Sequence, residues 1–446
     1  MNAHTSKDVS EQLANALATL TALHPKKIDL GLGRILRVLE KLDNPQHKLP
    51  PTIHVAGTNG KGSTVAFIKA MCEADGLKVH AYNSPHLVRF NERITIASKQ
   101  IEDAVLLDVI DRVRAANDGQ DLSFFEATTA AAFLAFSEHP ADIAIIEVGL
   151  GGRFDATNIF DPAVCAITPI DYDHAEFLGR DLAGIAREKA GIIKPYTPVF
   201  IGKQRELSRA VLDGQAGKHR ASIQFLGEDF QAYAQHGRMV FESDDTLLDL
   251  PAPALLGAHQ FENAGLAIAV ARHMKISDKA ISKGLSHAVW PARMQSLSTG
   301  PLAGMAVEVG AELLLDGGHN PHAARAIATT VAELEAKTAR PLILITGILA
   351  NKDIGGFLDA FSGLASAVIG VSIGGHTSLA PETLSELAQS RGMIGQVADN
   401  LTDAMQRAIN TGLALSRETL DTPTVPPRIL ICGSLYLAGE VLKDNS

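Results

Sequence analysis

The sequence predicts an α/β protein of two domains, each carrying a mainly parallel sheet. Three observations point there. Short apolar runs rich in β-branched residues alternate with helix-period stretches, the pattern of strand–helix–strand units. The chain has 446 residues, more than one ordinary core accommodates. After Trp290-Pro291 the turn residues Gly300, Pro301 and Gly304 precede a fresh alternation of strands and helices, which places the boundary near Ser296 and the domains at 1–296 and 297–446.

Taken in order, MNAHTSKDVSEQLANALATL reads as a polar tail leading into an amphipathic helix, not a signal peptide. Thr52 to Ala56 is a strand, followed by a glycine loop and a helix from about Ser63 to Asp75 that Gly76 ends. Lys78 to Tyr82 is a second strand, TTAAAFLAFSE a helix, and DIAIIEV, AVCAIT and Pro198 to Gly202 further strands. From about Gln204 to Pro253 the order weakens, with RMVFE as an exposed strand, and Leu255 to His273 is helical again. In the second domain ELLLDG, PLILITG, ASAVIGV and RILICGS are strands separated by helices such as AARAIATTVAELEA. TPTVPP, Thr422 to Pro427, is a loop before the last strand.

The composition excludes several classes. Hydrophobic residues make up 46% and charged residues 20%, a globular balance. The formal charge of -10 argues against a nucleic-acid-wrapping surface, while a local site can still be basic. Cys72, Cys165 and Cys432 are scattered and form no C-x-x-C, so they read as buried thiols. No apolar run is long enough to span a bilayer, and a cytoplasmic protein without membrane or nucleic-acid partners is expected.

The chemistry begins at HVAGTNGKGST, His54 to Thr64. Strand, glycine loop and helix put backbone N–H groups and a helix dipole onto a phosphate. Gly57, Gly60 and Gly62 let the backbone approach, and Lys61 reaches phosphates as a point charge. The common loop has a hydroxyl directly after the lysine to hold a divalent ion; here Gly62 intervenes and Ser63 comes one place late. Ser84 in NSPHL, Glu147 in IIEVGLGG and His174 in PIDYDH follow later strands, where ligands of an open parallel sheet converge. Glu147 carries most weight, because a carboxylate ending an apolar run is costly to bury unpaired. From spacing alone Lys189 in AREKAGIIKP is a solvated lysine at a helix end. Asp316 in DGGHNP either holds a ribose hydroxyl or leaves that motif to Asn320 as a helix cap.

Together GTNGKGS, NSPHL, NERI, FFEATTAAAF, EVGLGGRFDATN, DYDHAEFLG, REKAGIIKP, WPARM, LDGGHNPHA and CGSLYLAGE resemble the folylpolyglutamate synthase/dihydrofolate synthase family, a branch of the Mur-ligase-like amide ligases. They run in order from about Leu30 to Glu440, nearly the whole chain. The resemblance implies a Mur-ligase-like P-loop ATPase domain and a smaller, Rossmann-like C-terminal domain, with ATP between them. It implies an ATP-binding set of Gly57, Thr58, Asn59, Gly60, Lys61, Gly62, Ser63, Thr64, Asn263, Arg293, Asp316 and His319. Ser84 and Glu147 would hold one Mg2+, His174 a second, and Lys189 would be carried as a carbamate, itself an anionic oxygen ligand. Catalysis would rest on Lys61, Lys189, His174 and Glu147. The pterin side is implied at Leu30, Gly31, Leu32 and Gly33, at Pro85, at Ser123, Phe124, Phe125 and Glu126, and at Phe154, Asp155 and Ala156.

The implied reaction is ATP-dependent addition of L-glutamate to dihydropteroate and to the glutamate tail of reduced folates through an acyl phosphate, in a monomer. The rivals are a monofunctional folylpolyglutamate synthase, a Mur ligase acting on a UDP-sugar peptide, a P-loop switch or small-molecule kinase, and an inactive nucleotide-binding protein. The sequence departs from the family at three places. Ala292 stands for the usual glycine before the arginine, Gly265 for the usual alanine of N-A-A, and the insertion-like turn TGPLAGMAVEVGAE separates Arg293 from Asp316.

Overall fold

The computed structural model describes residues 3–23, 31–417 and 425–445. They form two compact units: Met1–Ala254 with Phe261–Val289, and Leu255–Gln260 with Trp290–Ser446.

The first unit opens with α1 (Ala3–Leu23) and α2 (Gly33–Lys41), then β1 (Thr52–Ala56), α3 (Lys61–Ala74) and β2 (Val79–Tyr82). Next come β3 (Ile94–Ile96), β4 (Lys99–Gln100), α4 (Asp103–Asn117), α5 (Phe124–Glu138), β5 (Ile143–Glu147) and β6 (Val164–Ile167). Then follow α6 (Ala175–Leu178), α7 (Leu182–Ala190), β7 (Val199–Ile201), α8 (Glu206–His219) and β8 (Ile223–Phe225). The strands join in the order β4-β3-β2-β5-β1-β6-β7-β8. Six are parallel, and β3 and β4 form the antiparallel edge. The central parallel strands are mostly apolar and buried because helices cover both faces. On one side α1, α2, α4 and α5 close a core through Leu39, Ile110, Phe133 and Phe136. Farther along the same face α7 and α8 pack Ile185 and Leu212 against Ile167 and Ile201, while the alternate residues Ile53, Val55 and Ile145 are buried on the opposite face, where α3 packs.

Helix α3 ends as its glycine predicts. Gly76 has φ +88, its N–H reaches the Glu73 carbonyl, and Leu77 N–H reaches the Cys72 carbonyl, a Schellman pair that satisfies the last turn. Helix α5 is ringed by buried side chains, which its run of small alanines permits.

The region expected to be poorly ordered is not. After β8 come β9 (Phe230–Gln235), β10 (Arg238–Ser243) and β11 (Thr246–Leu250), a three-stranded antiparallel sheet. The RMVFE strand is its centre and is largely buried, since Phe230 meets both Phe241 and Phe200 of β7. This small meander is held by its rings and carries no long apolar run. Helices α9 (Ala258–His273) and α10 (Asp278–His287) follow; in α10, Gly284 lies against the Met71 backbone of α3 with no room for a side chain.

The second unit holds β12 (Gln295–Ser296), α11 (Pro301–Glu308), β13 (Glu312–Leu315), α12 (Pro321–Lys337), β14 (Leu342–Thr346) and α13 (Ile354–Asp359). It continues with β15 (Ala367–Gly370), α14 (Pro381–Gln389), β16 (Ile394–Val397), α15 (Leu401–Arg417), β17 (Arg428–Cys432) and α16 (Leu435–Asp444). The sheet order is β12-β13-β17-β14-β15-β16, parallel except for β12. Two details differ from expectation. The insertion-like turn after Gly300 is helix α11, started by Pro301 at its first position. Strand β16, IGQV, is only partly buried and escapes a hydrophobicity reading.

Candidate active site

Strand β1 runs into the glycine loop, and α3 starts at Lys61 with Gly60 as its N-cap. The first N–H groups of any α-helix lack intrahelical acceptors, so this turn presents donors to an anion. Two glycines are required by close approach from behind. Gly57 has φ +139 and a side chain there would overlap the Thr168 hydroxyl; Gly60 has φ +89 and abuts the Asn263 amide. Thr58 anchors the loop, donating from its N–H to the Pro169 carbonyl at 3.0 Å and exchanging hydrogen bonds with the Asp171 backbone through its hydroxyl. The hydroxyls of Ser63 and Thr64 are buried at the start of α3 without a partner among the described residues, an arrangement suited to a bound anionic group.

Glu147 ends β5 beside Val55 of β1 and is 3% exposed. Ser84, two residues beyond β2, donates its backbone N–H to Glu147 Oε2 at 3.3 Å, so two expected metal ligands meet at adjoining strand ends. Pro85 beside them is exposed. His174 stays exposed at the N-cap of the one-turn α6; its backbone N–H donates to Asp173 Oδ1 at 2.8 Å.

Lys189 overturns the reading from spacing. It lies on the buried side of α7, 5% exposed, with Nζ donating to the Gly57 carbonyl at 2.8 Å. Burial pushes its ammonium down to about 7, and Lys61 pushes the same way; Asp173 and Asp155 oppose them. Two lysines therefore flank the loop. Lys61 Nζ donates to the Thr58 carbonyl at 3.2 Å.

The expected pterin residues divide. Leu30 lies outside the described residues. Gly31, Leu32 and Gly33 lead into α2 with open space around both glycines. A cavity of about 480 Å³ opens beside them, lined by Gly33, Leu36, Arg37 and Ile159 among others. Ser123 and Glu126 form the capping box of α5, and Glu126 also pairs with Arg34 at 3.1 Å. Phe124 meets Phe90 edge-on, and Phe125 lies against Gly149 and Tyr82. Phe154 is 38% exposed beneath the Arg153 guanidinium. Ala156 is buried, and Asp155 accepts hydrogen bonds from Leu150 N, Thr157 N and the Thr157 hydroxyl. Burial raises the Asp155 carboxyl above its ordinary value.

In the second unit the Asp316 carboxylate accepts from Met294 N at 2.8 Å and Gly318 N at 2.7 Å; burial raises it while Arg293 opposes. Arg293 itself sits between Ala292 at φ +55 and Met294 at φ +43. His319 hydrogen-bonds the Gly317 carbonyl through Nδ1, and Asn320 caps α12, as its position before Pro321 suggests. Sequence reasoning missed His259, a half-buried residue whose imidazole is held down to about 4 by desolvation, with Arg293 and His322 contributing. It also missed Asp173 and Thr168, whose only signal is adjacency to recognised motifs. Among the described residues no three His, Cys, Asp or Glu side chains form a ready metal cage, and no helix is long and apolar enough to cross a membrane.

Residues 55–271 match the Mur ligase middle domain, and residues 305–444 match the Dihydrofolate synthetase, C-terminal domain. The chain is similar to the Dihydrofolate synthase/folylpolyglutamate synthase of Escherichia coli, 32% identical over 434 residues that cover 97% of this chain and 95% of the relative. Among solved structures it is similar to E. coli FolC in complex with DHPP and ADP, with a TM-score of 0.83, 30% identity and 97% of each chain covered. It is similar also to a bifunctional folylpolyglutamate synthase/dihydrofolate synthase with Mn, AMPPNP and L-glutamate bound, with a TM-score of 0.81, 31% identity and 97% of each chain covered.

Proposed function

The chain belongs to the dihydrofolate synthase/folylpolyglutamate synthase family, and from that membership we propose how its residues carry out glutamate ligation. The protein is an ATP- and divalent-metal-dependent acid–amino-acid ligase that forms ADP. It adds L-glutamate to dihydropteroate and to the glutamate tail of reduced folates. The observation that carries the assignment of roles is the glycine loop flanked by Lys61 and by buried Lys189, with Glu147 at the neighbouring strand end.

A carboxylate is a poor electrophile. Its oxygen attacks the γ-phosphorus of ATP, the bond to the β-phosphate oxygen breaks, and an acyl phosphate and ADP result. The glutamate amine then attacks the acyl carbon, loses a proton, and phosphate leaves with its electron pair. Such chemistry depends on positioning and electrostatics, so no nucleophilic side chain is needed. Loop residues 57–64 cradle the phosphates, Lys61 supplies charge, and Asn263 braces Gly60. Arg293, Asp316 and His319 take the remainder of the nucleotide. Phe124, Phe125 and Phe154 serve the flat ring, and Gly31, Leu32, Gly33, Pro85 and Ala156 line its approach.

Ser84 and Glu147 would hold one Mg2+, and His174 with a Lys189 carbamate a second. The donors fit: a buried carboxylate beside a serine suits a hard cation, and an amine near neutral pKa is available to react with CO2. Held there, the ions would neutralise charge on the transferring phosphoryl group. The reading also takes the chain as a cytoplasmic monomer.

The test is phosphate release with ATP, Mg2+ and L-glutamate, with dihydropteroate in one tube and tetrahydrofolate in another. Glutamate-dependent release in both, with products one glutamyl unit heavier, is expected. Release with tetrahydrofolate alone would make the enzyme monofunctional, and release indifferent to glutamate would overturn the ligase assignment.

A further inference from the structure

Strand β1 contains a histidine where the fold offers no reason for one. His54 is 0% exposed, between Ile53 and Val55 in β1, three residues before Gly57 of the glycine loop. An apolar side chain would avoid the desolvation that burial imposes on imidazole, a cost seen in its titration being driven down to about 3. The ring is therefore neutral, and among the described residues it touches one polar group: Nε2 lies 3.0 Å from Thr157 Oγ1, while Nδ1 has no partner there.

Asp155 fixes the directions of these hydrogen bonds. Thr157 Oγ1 donates to Asp155 Oδ1 at 2.5 Å, so its single proton is committed and its oxygen must accept. His54 is then the Nε2–H tautomer, and a chain runs from His54 Nε2–H through the Thr157 hydroxyl to the Asp155 carboxylate. All three residues are at most 2% exposed. Asp155 in turn holds Leu150 N and Thr157 N, which closes the turn carrying Phe154. The same turn is locked to the end of α7. Arg153 N–H donates to the Glu188 carbonyl at 2.7 Å, Asn158 reaches the Gly191 carbonyl, and Gly152 lies against the Lys189 backbone with no space for a side chain.

We propose that His54 and Thr157 are positioning residues that hold the 149–158 turn, and with it the acceptor-substrate contacts of Phe154 and Asp155, in register with the strand that starts the phosphate loop. The inference rests on the proposed ring-binding role of Phe154 and on the pterin-side role that the family resemblance implies for Asp155. Neither His54 nor Thr157 touches a reacting atom; both act through Asp155.

The test compares variants that keep or remove one donor. Gln places an amide N–H where Nε2 sits, whereas Asn reaches only the Nδ1 position. His54→Gln and Thr157→Ser should stay close to the wild type, while His54→Asn and Thr157→Val should raise KM for the pterin acceptor about tenfold, the scale of one buried hydrogen bond. KM for ATP and kcat should change little. Equal effects of Gln and Asn, or an acceptor KM unmoved in Thr157→Val, would overturn the proposal. If the His54 variants do not fold, the Thr157 pair decides alone. A readout that needs no turnover separates this idea from the ligase assignment. Long-range 1H–15N spectra of histidine-labelled protein should show His54 as the Nε2–H tautomer, with a slowly exchanging proton that Thr157→Val exposes. An Nδ1–H tautomer would refute the chain even in an active ligase, and an inactive wild type with the Nε2–H tautomer would refute the ligase assignment while leaving the chain intact.

Discussion

Two residues show how burial redefines chemistry that sequence spacing suggests. Lys189 in the unfolded chain titrates at its ordinary 10.5, and in the fold at about 7. Between those values the unfolded chain holds the extra proton, so this group makes stability rise with pH across the window, by up to about 1.4 kcal/mol per pH unit. Below 7 its contribution is flat. Lys189→Met should abolish the slope in urea melts over a pH series and remove ligase activity. If the amine carries CO2, 13C-bicarbonate should give a carbamate carbon signal in the wild type that the variant lacks; wild-type spectra without it would end the carbamate assignment. Ala292 is the second case. Its φ of +55 is a left-handed conformation that costs an L-residue roughly 1–2 kcal/mol, while glycine loses about 0.5–1 kcal/mol to its freer unfolded state. Ala292→Gly should therefore raise stability by up to about 1 kcal/mol, measured as a shift in denaturant midpoint at unchanged m. The departure from the family glycine is tolerated, not favoured, by the backbone.

At the scale of elements, a second departure has the opposite character. Gly265 lies inside α9, where alanine is intrinsically better by about 1 kcal/mol. Yet a Cβ there would overlap the Ala232 methyl of β9. Overpacking of this kind costs about 1–3 kcal/mol, so Gly265→Ala should lower the unfolding midpoint, and Ala232→Gly in the same chain should recover part of it. A stabilised single variant would mean that α9 and the small sheet can separate freely. The same contact explains why the β9–β11 region is hard to read in sequence. Its strands gain stability from rings and close helix contact supplied by residues far away in the chain, not from a long apolar run of their own. Elements with strong local signals, such as β1, α3 and β5, are legible because their periodicity and glycine ends agree with their burial.

For the whole molecule, a ligand that binds only the folded chain stabilises it by mass action. MgATP at a hundred times its dissociation constant should add about 2.7 kcal/mol to the unit or units it holds, visible as a raised melting midpoint. Excess chelator with ATP should reduce that rise, and identical midpoints with and without MgATP would argue that the glycine loop binds no nucleotide. The sequence by itself determined the α/β class, the order of the motifs, the family they belong to and the identity of the loop, because these rest on local periodicity and on residue types at fixed spacings. It also named Lys61, Glu147, Ser84 and His174. Only the tertiary structure decided that Lys189 is buried against Gly57 rather than solvated, and that Glu126, the local capping partner of Ser123, also pairs with Arg34. It alone joined His54 to Asp155 through Thr157. Each of those depends on a partner distant in sequence, and on the exclusion of water from a surface that several elements make together.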